Sequence, residues 1–242
     1  MYLFKIDDQN VGCVKKSSYF WREKIAIILN YLMGTKQLKI TIVWLIVLFG
    51  IITCIHPVFP NEQFLQHVGT FLLLLIPVID IKSNRLSMNA FICVSLFIII
   101  HILGARYIYS FVPYNDWFKM VFHIDLNTIF HTTRNHYDRF VHFFFGVLAF
   151  PYLYELIDRK KGLNTFLKVL IVWSFIQTFS MMYEIFEWFL TTIMSSYDAN
   201  NYNGQQGDLW DSQKDMVCAM AGSTIMALIY LMKREKIKLK NS

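Results

Sequence analysis

Three pairs of ionisable residues stand inside apolar runs of this sequence, and each pair has helical spacing. Asp138 and His142 are four apart in RNHYDRFVHFFFG. Glu184 and Glu187 are three apart in MMYEIFEWFL. Asp211 and Asp215 are four apart, and with Asp208 they follow an i, i+3, i+7 pattern. Residues at these separations share one helix face. Carboxylates joined by an imidazole suit Mg, Mn, Fe or Zn, and carboxylates can bridge two ions. Helix bundles build such sites from facing side chains. A divalent metal ion held there would activate water or polarise a phosphoryl or carbonyl oxygen. Arg134 and Arg139 flank the set, and a guanidinium suits bidentate contact with an anionic head group.

Each residue also has a plainer reading. Asp208 fits the N-cap of a helix, with Asp211 at N3 complementing the positive end of its dipole. That does not account for Asp215, nearly two turns further in. Glu184 and Glu187 would serve as structural ion-pair partners of Arg106, Arg139 or Lys214. His142 alone would read as a satisfied core histidine, and it is Asp138 on the same face that favours a ligand. Asp80 and Glu155 lie beside basic stretches and read as interfacial. His67 is expected to reach the level of the acid pairs, whereas His101 has no explanation in the sequence.

The elements that must carry these residues follow from composition. Of 242 residues, 55% are hydrophobic and only 17% charged, against about 25% charged in a soluble domain; the mean hydropathy is +0.40. A soluble core of this size cannot hide so much apolar surface. Six runs are long enough to cross a bilayer: 38–55, 64–80, 88–108, 137–157, 165–194 and 211–232. Lipid cannot satisfy backbone polar groups, and uninterrupted runs of this length favour helices over a closed barrel. The fold class is thus all-α, a polytopic membrane helical bundle of about six transmembrane helices. In such a setting a central charge costs about 2.5–3.5 kcal/mol.

Charge distribution sets the direction. Seventeen of the 23 Lys and Arg residues fall in 1–39, 81–87, 158–164 and 233–240. By the positive-inside rule both termini are expected in the cytoplasm. The three acid-bearing pairs then converge near the extracytoplasmic boundary. Residues 1–37 form a cytoplasmic segment in which 17–33 has the pattern of an interfacial amphipathic helix, or of one packed on the bundle. Residues 38–232 form the transmembrane domain and 233–242 a basic cytoplasmic tail. The segment 109–136 is the longest external loop, too short for a second domain, and Tyr107, Tyr109, Tyr114 and Trp117 at the outer boundary read as an interface belt. The net charge of +6 sits in short clusters between apolar runs, which argues against nucleic acid as partner. Cys13, Cys54, Cys93 and Cys218 have no metal or disulfide spacing. The polar stretch ahead of the first apolar run argues against a signal peptide.

Several longer motifs carry a resemblance. GARYIYSFVPY (104–114), RNHYDRFVHFFFG (134–146), YEIFEW (183–188) and QQGDLWDSQKDMVCAMAG (205–222) resemble the YjdF-type family of bacterial inner-membrane proteins, in order and spacing from about residue 40 to 232. That resemblance implies a fold and a bacterial inner (cytoplasmic) membrane location more than an activity. A fainter similarity, to VanZ-like membrane proteins, rests on Asp138-Arg139 with His142, Tyr183 with Glu184, and Asp215 with Gly222. Arg139 stands where those proteins have Lys, and Trp188 follows Glu187 where they tend to have Gln. It implies an envelope-facing role, by analogy with glycopeptide resistance.

Three functions compete. The first is a metal-dependent hydrolase or transferase acting on a lipid or envelope precursor, with ligands and one general base drawn from Asp138, His142, Glu184, Glu187, Asp211 and Asp215. No serine-nucleophile elbow, phosphate-binding loop or dinucleotide fingerprint competes with it. The second is cation or proton transport, which the apolar inner stretches VLAFPYLY and MALIYLM disfavour. The third is a structural protein whose acids and arginines lock the bundle.

Overall fold

The computed structural model describes residues 34–193 and 205–241, with side chains through Lys233. The amphipathic segment 17–33 lies outside the described residues. The chain forms α1 (Thr35–Thr53), α2 (Pro60–Ser83), α3 (Met88–Arg106), α4 (Tyr114–Phe122), α5 (Leu126–Ile129), α6 (Tyr137–Asp158), α7 (Thr165–Ile193) and α8 (Asp211–Asn241). Six of these are long and apolar enough to cross a membrane, as the hydropathy runs predict.

Their boundaries have local causes. The second span is longer than its apolar run, because Pro60 sits in the first turn of α2, where its fixed φ and missing N–H cost nothing. At the other end Asn84 adopts a left-handed conformation (φ 44°), and its N–H bonds to Asp80 O. Ser87 then caps α3 by accepting the Ala90 N–H at 3.2 Å. The last span continues as helix to Asn241, through the basic tail.

Two ends of the bundle can be distinguished. At the proximal end, where α1 starts and α2 finishes, Lys39 and Asp80 form a buried ion pair at 2.6 Å. Lys39 also donates to Asn84 Oδ1 at 3.2 Å and Leu86 O at 2.8 Å. Asp80 accepts the backbone N–H groups of Arg85 and Leu86, both at 2.8 Å. Asp80 is therefore a buried, fully bonded fastener of α1 and α2. Glu155 likewise ties α6 to α3 by accepting the Ser87 N–H at 2.9 Å and the Ser87 hydroxyl. At the distal end α1 and α3 finish, and α6 and α8 begin.

α6 is the central helix, packed chiefly on α8 and α3. α1, α2 and α3 make one side of the bundle, with Ile46, Val94, Ile98 and Ile102 in its core. α6, α7 and α8 make the other, where Phe150, Val169, Val172, Ile176 and Ala227 form an apolar layer.

Candidate functional site

Glycine sets how closely the site-bearing helices approach. A Cβ on Gly146 of α6 would lie 2.3 Å from Ala219 O, and one on Gly222 of α8 would lie 2.2 Å from Phe143 O. Only the missing side chains let these two backbones touch. Two hydrogen bonds tie α7 to the same crossing: Gln177 Nε2 donates to Ser223 Oγ at 2.8 Å, and Trp173 Nε1 to Thr224 Oγ1 at 3.0 Å. The acid-bearing ends of α6, α7 and α8 are thereby held together at the distal end.

His142 is the centre of an inner group. Its Nε2 lies 3.0 Å from Glu184 Oε1 and 3.8 Å from Asp138 Oδ1. Its Nδ1 lies 3.4 Å from Ser180 Oγ, and its ring meets that of Tyr183 edge-on at 5.9 Å. Glu187 is hydrogen-bonded to the Tyr183 side chain and sits in the field of Asp138, Glu184 and Asp215. All of these acids are buried, Asp215 the most completely at 2% exposure. Among the described residues, Asp215 Oδ1 has no hydrogen-bond partner; Arg139 Nε stands 3.9 Å away.

An outer group is built on cations. Arg139 Nη2 donates to Asp208 Oδ2 at 2.7 Å and to Asp211 Oδ1 at 3.0 Å. Arg134 donates to Asp211 and to Gln205 O. Lys214 Nζ lies 2.6 Å from Asp208 Oδ2. The Lys214 ammonium, the Trp210 N–H and Arg139 hold the Asp208 carboxyl well below the usual carboxylate range. Beside them, burial and then the charges of Arg139 and Arg134 hold His136 below its ordinary value. Arg134 also borders a polar cavity of about 250 Å³, lined among others by Tyr114, Asn115, Asp116, Asn127 and Asn135.

The structure thus brings together every residue the spacing singled out, but divides them. Asp138, His142, Glu184, Glu187 and Asp215 form the inner group, whereas Asp211 turns to Arg134 and Arg139. Because the arginines draw Asp211 away, the single cage expected from the spacing is not assembled. Among the described residues no three His, Cys, Asp or Glu side chains are arranged to hold a metal ion as they stand. Asp208 is not a helix cap either. α8 starts three residues later, and Asp208 Oδ1 accepts the Trp210 N–H at 3.1 Å within the preceding turn. Glu184 pairs with His142 rather than with Arg106, Arg139 or Lys214.

Other residues expected near the site serve elsewhere. Arg106 donates to the carbonyls of Thr53 and Ile55, closing the end of α1. His67 lies in a second polar cluster, 3.4 Å from Cys54 Sγ, 3.2 Å from Gln63 Nε2 and 3.1 Å from Thr70 Oγ1. His101 lies 3.3 Å from Gln66 O and hydrogen-bonds to Tyr109. Tyr109 is therefore a core residue, not part of an aromatic belt; it folds back over Gly104, where a Cβ would lie 2.6 Å from its ring. Ser180 was not singled out by the sequence. A serine in an apolar run carries no signal of its own, and only its place one turn before Glu184 would have pointed to it.

Six apolar spanning helices, three of which enclose a buried polar cluster, define a multi-pass helical membrane protein. The chain belongs to the family described as "Predicted membrane protein (DUF2238)", whose model matches residues 38–236. It is similar to the "Inner membrane protein YjdF" of Escherichia coli (strain K12), with 30% identity over 138 residues. That match covers 55% of this chain and 59% of the relative, less than two thirds of the relative's length. The YjdF-type resemblance is borne out; a relation to VanZ-like proteins is not among what the comparisons show. No solved structure matches the chain.

Proposed function

We propose that this is a bacterial inner-membrane protein with both termini in the cytoplasm. Its inner acid and histidine group, on the extracytoplasmic side, binds a divalent cation (Zn, Mn, Mg or Fe) and serves hydrolysis or group transfer on a lipid or envelope precursor. One observation supports this above the others. Asp138, Glu184, Glu187 and Asp215 are all buried beside one imidazole, which faces Asp138 and Glu184. Arg134 and Lys214 are engaged by Asp211 and Asp208, and Arg139 by both, with its Nε 3.9 Å from Asp215. Carboxylates buried in such excess require protons or a counter-cation.

Oxygen donors with one imidazole match the chemistry of such a cation, with Asp138, His142, Glu184 and Asp215 to hold it. A bound ion would supply an activated water or a polarised oxygen. Ser180, at the Nδ1 of His142, orients the imidazole, and Glu187 is placed to accept a proton. Arg134 and Arg139 border the group on the side of Asp211, where a guanidinium suits an anionic head group. Transport through the bundle is less favoured, because Phe150, Val169, Val172, Ile176 and Ala227 close the helices beneath the group.

The test is to purify the protein in detergent and measure bound metals by mass spectrometry, for wild type and for Glu184→Ala and Asp215→Ala. A near-stoichiometric metal in the wild type, lost in both variants, supports the reading. A wild type that holds no metal after exposure to Mn²⁺ or Zn²⁺ sinks it and leaves protonated acids or a purely structural cluster.

A further inference from the structure

The segment between α3 and α6 has a physical character that the site does not use. α4 places Asn115, Asp116 and Lys119 on one side of the helix. Tyr114, Trp117, Phe118, Val121 and Phe122 lie on the other, by the 100° step of a helix. No residue of α4 or α5 is buried. Phe130 is 68% exposed, with Trp117, Phe118, Val121, Phe122 and Ile129 exposed as well. An apolar patch of this kind does not face water without a partner.

The tethers say where it lies. α3 ends at Arg106 and α6 begins at Tyr137, and both helices are membrane spans. The chain therefore leaves and re-enters the same bilayer boundary. Hydrogen bonds keep the segment low on the bundle. Asn135 Nδ2 donates to Val112 O at 2.8 Å, and the His136 N–H to Tyr114 Oη at 3.0 Å. Trp117 meets Tyr107 edge-on at 6.2 Å, directly after α3 ends, at the depth where Trp and Tyr favour the boundary of a bilayer. The polar side is solvated; its Lys119–Asp125 pair at 3.0 Å is exposed.

We infer that α4 and α5 lie along the membrane surface at the distal end, with Val121, Phe122, Ile129 and Phe130 sunk into the headgroup and acyl boundary of that leaflet. Phe140, in the first turn of α6 at the same end of the bundle, is likewise exposed. A short helix with one apolar and one charged side lies in the interface plane in this way. Seated there, it holds the polar cavity beside Arg134 at headgroup depth. The inference does not depend on a metal at the inner group.

Nitroxide labels at Val121→Cys, Phe122→Cys and Asp116→Cys test it, on a chain whose native cysteines are replaced by serine. The protein is reconstituted in vesicles of phosphatidylethanolamine and phosphatidylglycerol. Collision with oxygen is expected to exceed collision with a soluble nickel chelate several-fold at 121 and 122, and the reverse at 116. Equal nickel access at all three positions would overturn the inference, because the patch would then face water. Protection of 121 and 122 from both probes would overturn it too, because a protein would then cover the patch. The native chain gives an independent check. Lipids brominated near the headgroup end of the acyl chain should quench wild-type emission more than that of Trp117→Phe; equal quenching would contradict the inference.

Discussion

At the scale of single residues, the cluster separates charges that hold the fold from charges it tolerates. Arg139 bridges Asp208 and Asp211 at 2.7 and 3.0 Å with its side chain 19% exposed. Arg139→Ala removes one of two cationic partners from each acid, Asp208 keeping Lys214 and Asp211 keeping Arg134, and should destabilise the detergent-solubilised protein by about 1.5–3 kcal/mol in thermal or denaturant unfolding. Asp215→Asn should leave the metal-free protein unchanged or more stable, because it removes one charge from a group already in excess. A loss comparable to that of Arg139→Ala would make Asp215 a structural anchor instead. His136 gives a pH signature. Its value is lowered by burial, then by Arg139 and Arg134, so the fold favours the neutral ring. The stability it contributes is present above its ordinary value of about 6.5 and is lost as pH falls through its lowered value. Unfolding temperatures should drop as pH falls below about 6.5, and His136→Gln should flatten that drop. The acid pairs could be read from sequence because three and four residues apart means one face of one helix. Lys39 with Asp80 could not, since the partners are 41 residues apart and no local pattern links them. Nor could the turn of Asp211 to the arginines, which depends on how α6 sits against α8.

At the scale of elements, the glycine crossing of α6 and α8 is the device that assembles the site. Gly222→Ala puts a methyl against Phe143 O, a backbone atom that cannot swing aside, and Gly146→Ala does the same against Ala219 O. Each should cost about 1–3 kcal/mol and disturb the inner group. Gly50→Ala is the control, because its Cβ meets only Ile102 Cδ1 at 3.8 Å. It should be neutral or gain up to about 1 kcal/mol from helix propensity. Comparable losses at all three positions would show that the crossing is not special. The spans were legible because apolar length alone decides them, and their ends were displaced by Pro60, Asn84 and Ser87. α4 and α5 were not legible; an apolar side on nine residues is too short to stand out from a loop rich in aromatics.

At the scale of the whole molecule, the charge bias predicts a direction. An alkaline phosphatase fused within residues 123–125 should be active outside the cytoplasm, and a fluorescent protein fused after Ser242 should fold inside. The opposite pattern would invert the bundle and place the acid group on the cytoplasmic side. The six-helix plan was legible because hydropathy reports what the bilayer demands of each run separately. Which acids meet which cations was not, because it depends on how α6, α7 and α8 are rotated in the packed bundle.

The central claim, that the buried acids bind a cation, is tested most directly by titrating Mn²⁺ and then Zn²⁺ into chelator-stripped protein while following thermal unfolding. A cation bound only by the folded chain should stabilise the wild type, by about 2.7 kcal/mol at a hundredfold excess over its dissociation constant, and leave Asp215→Asn unmoved. Wild type and Asp215→Asn responding alike, or neither responding to either ion, would contradict it.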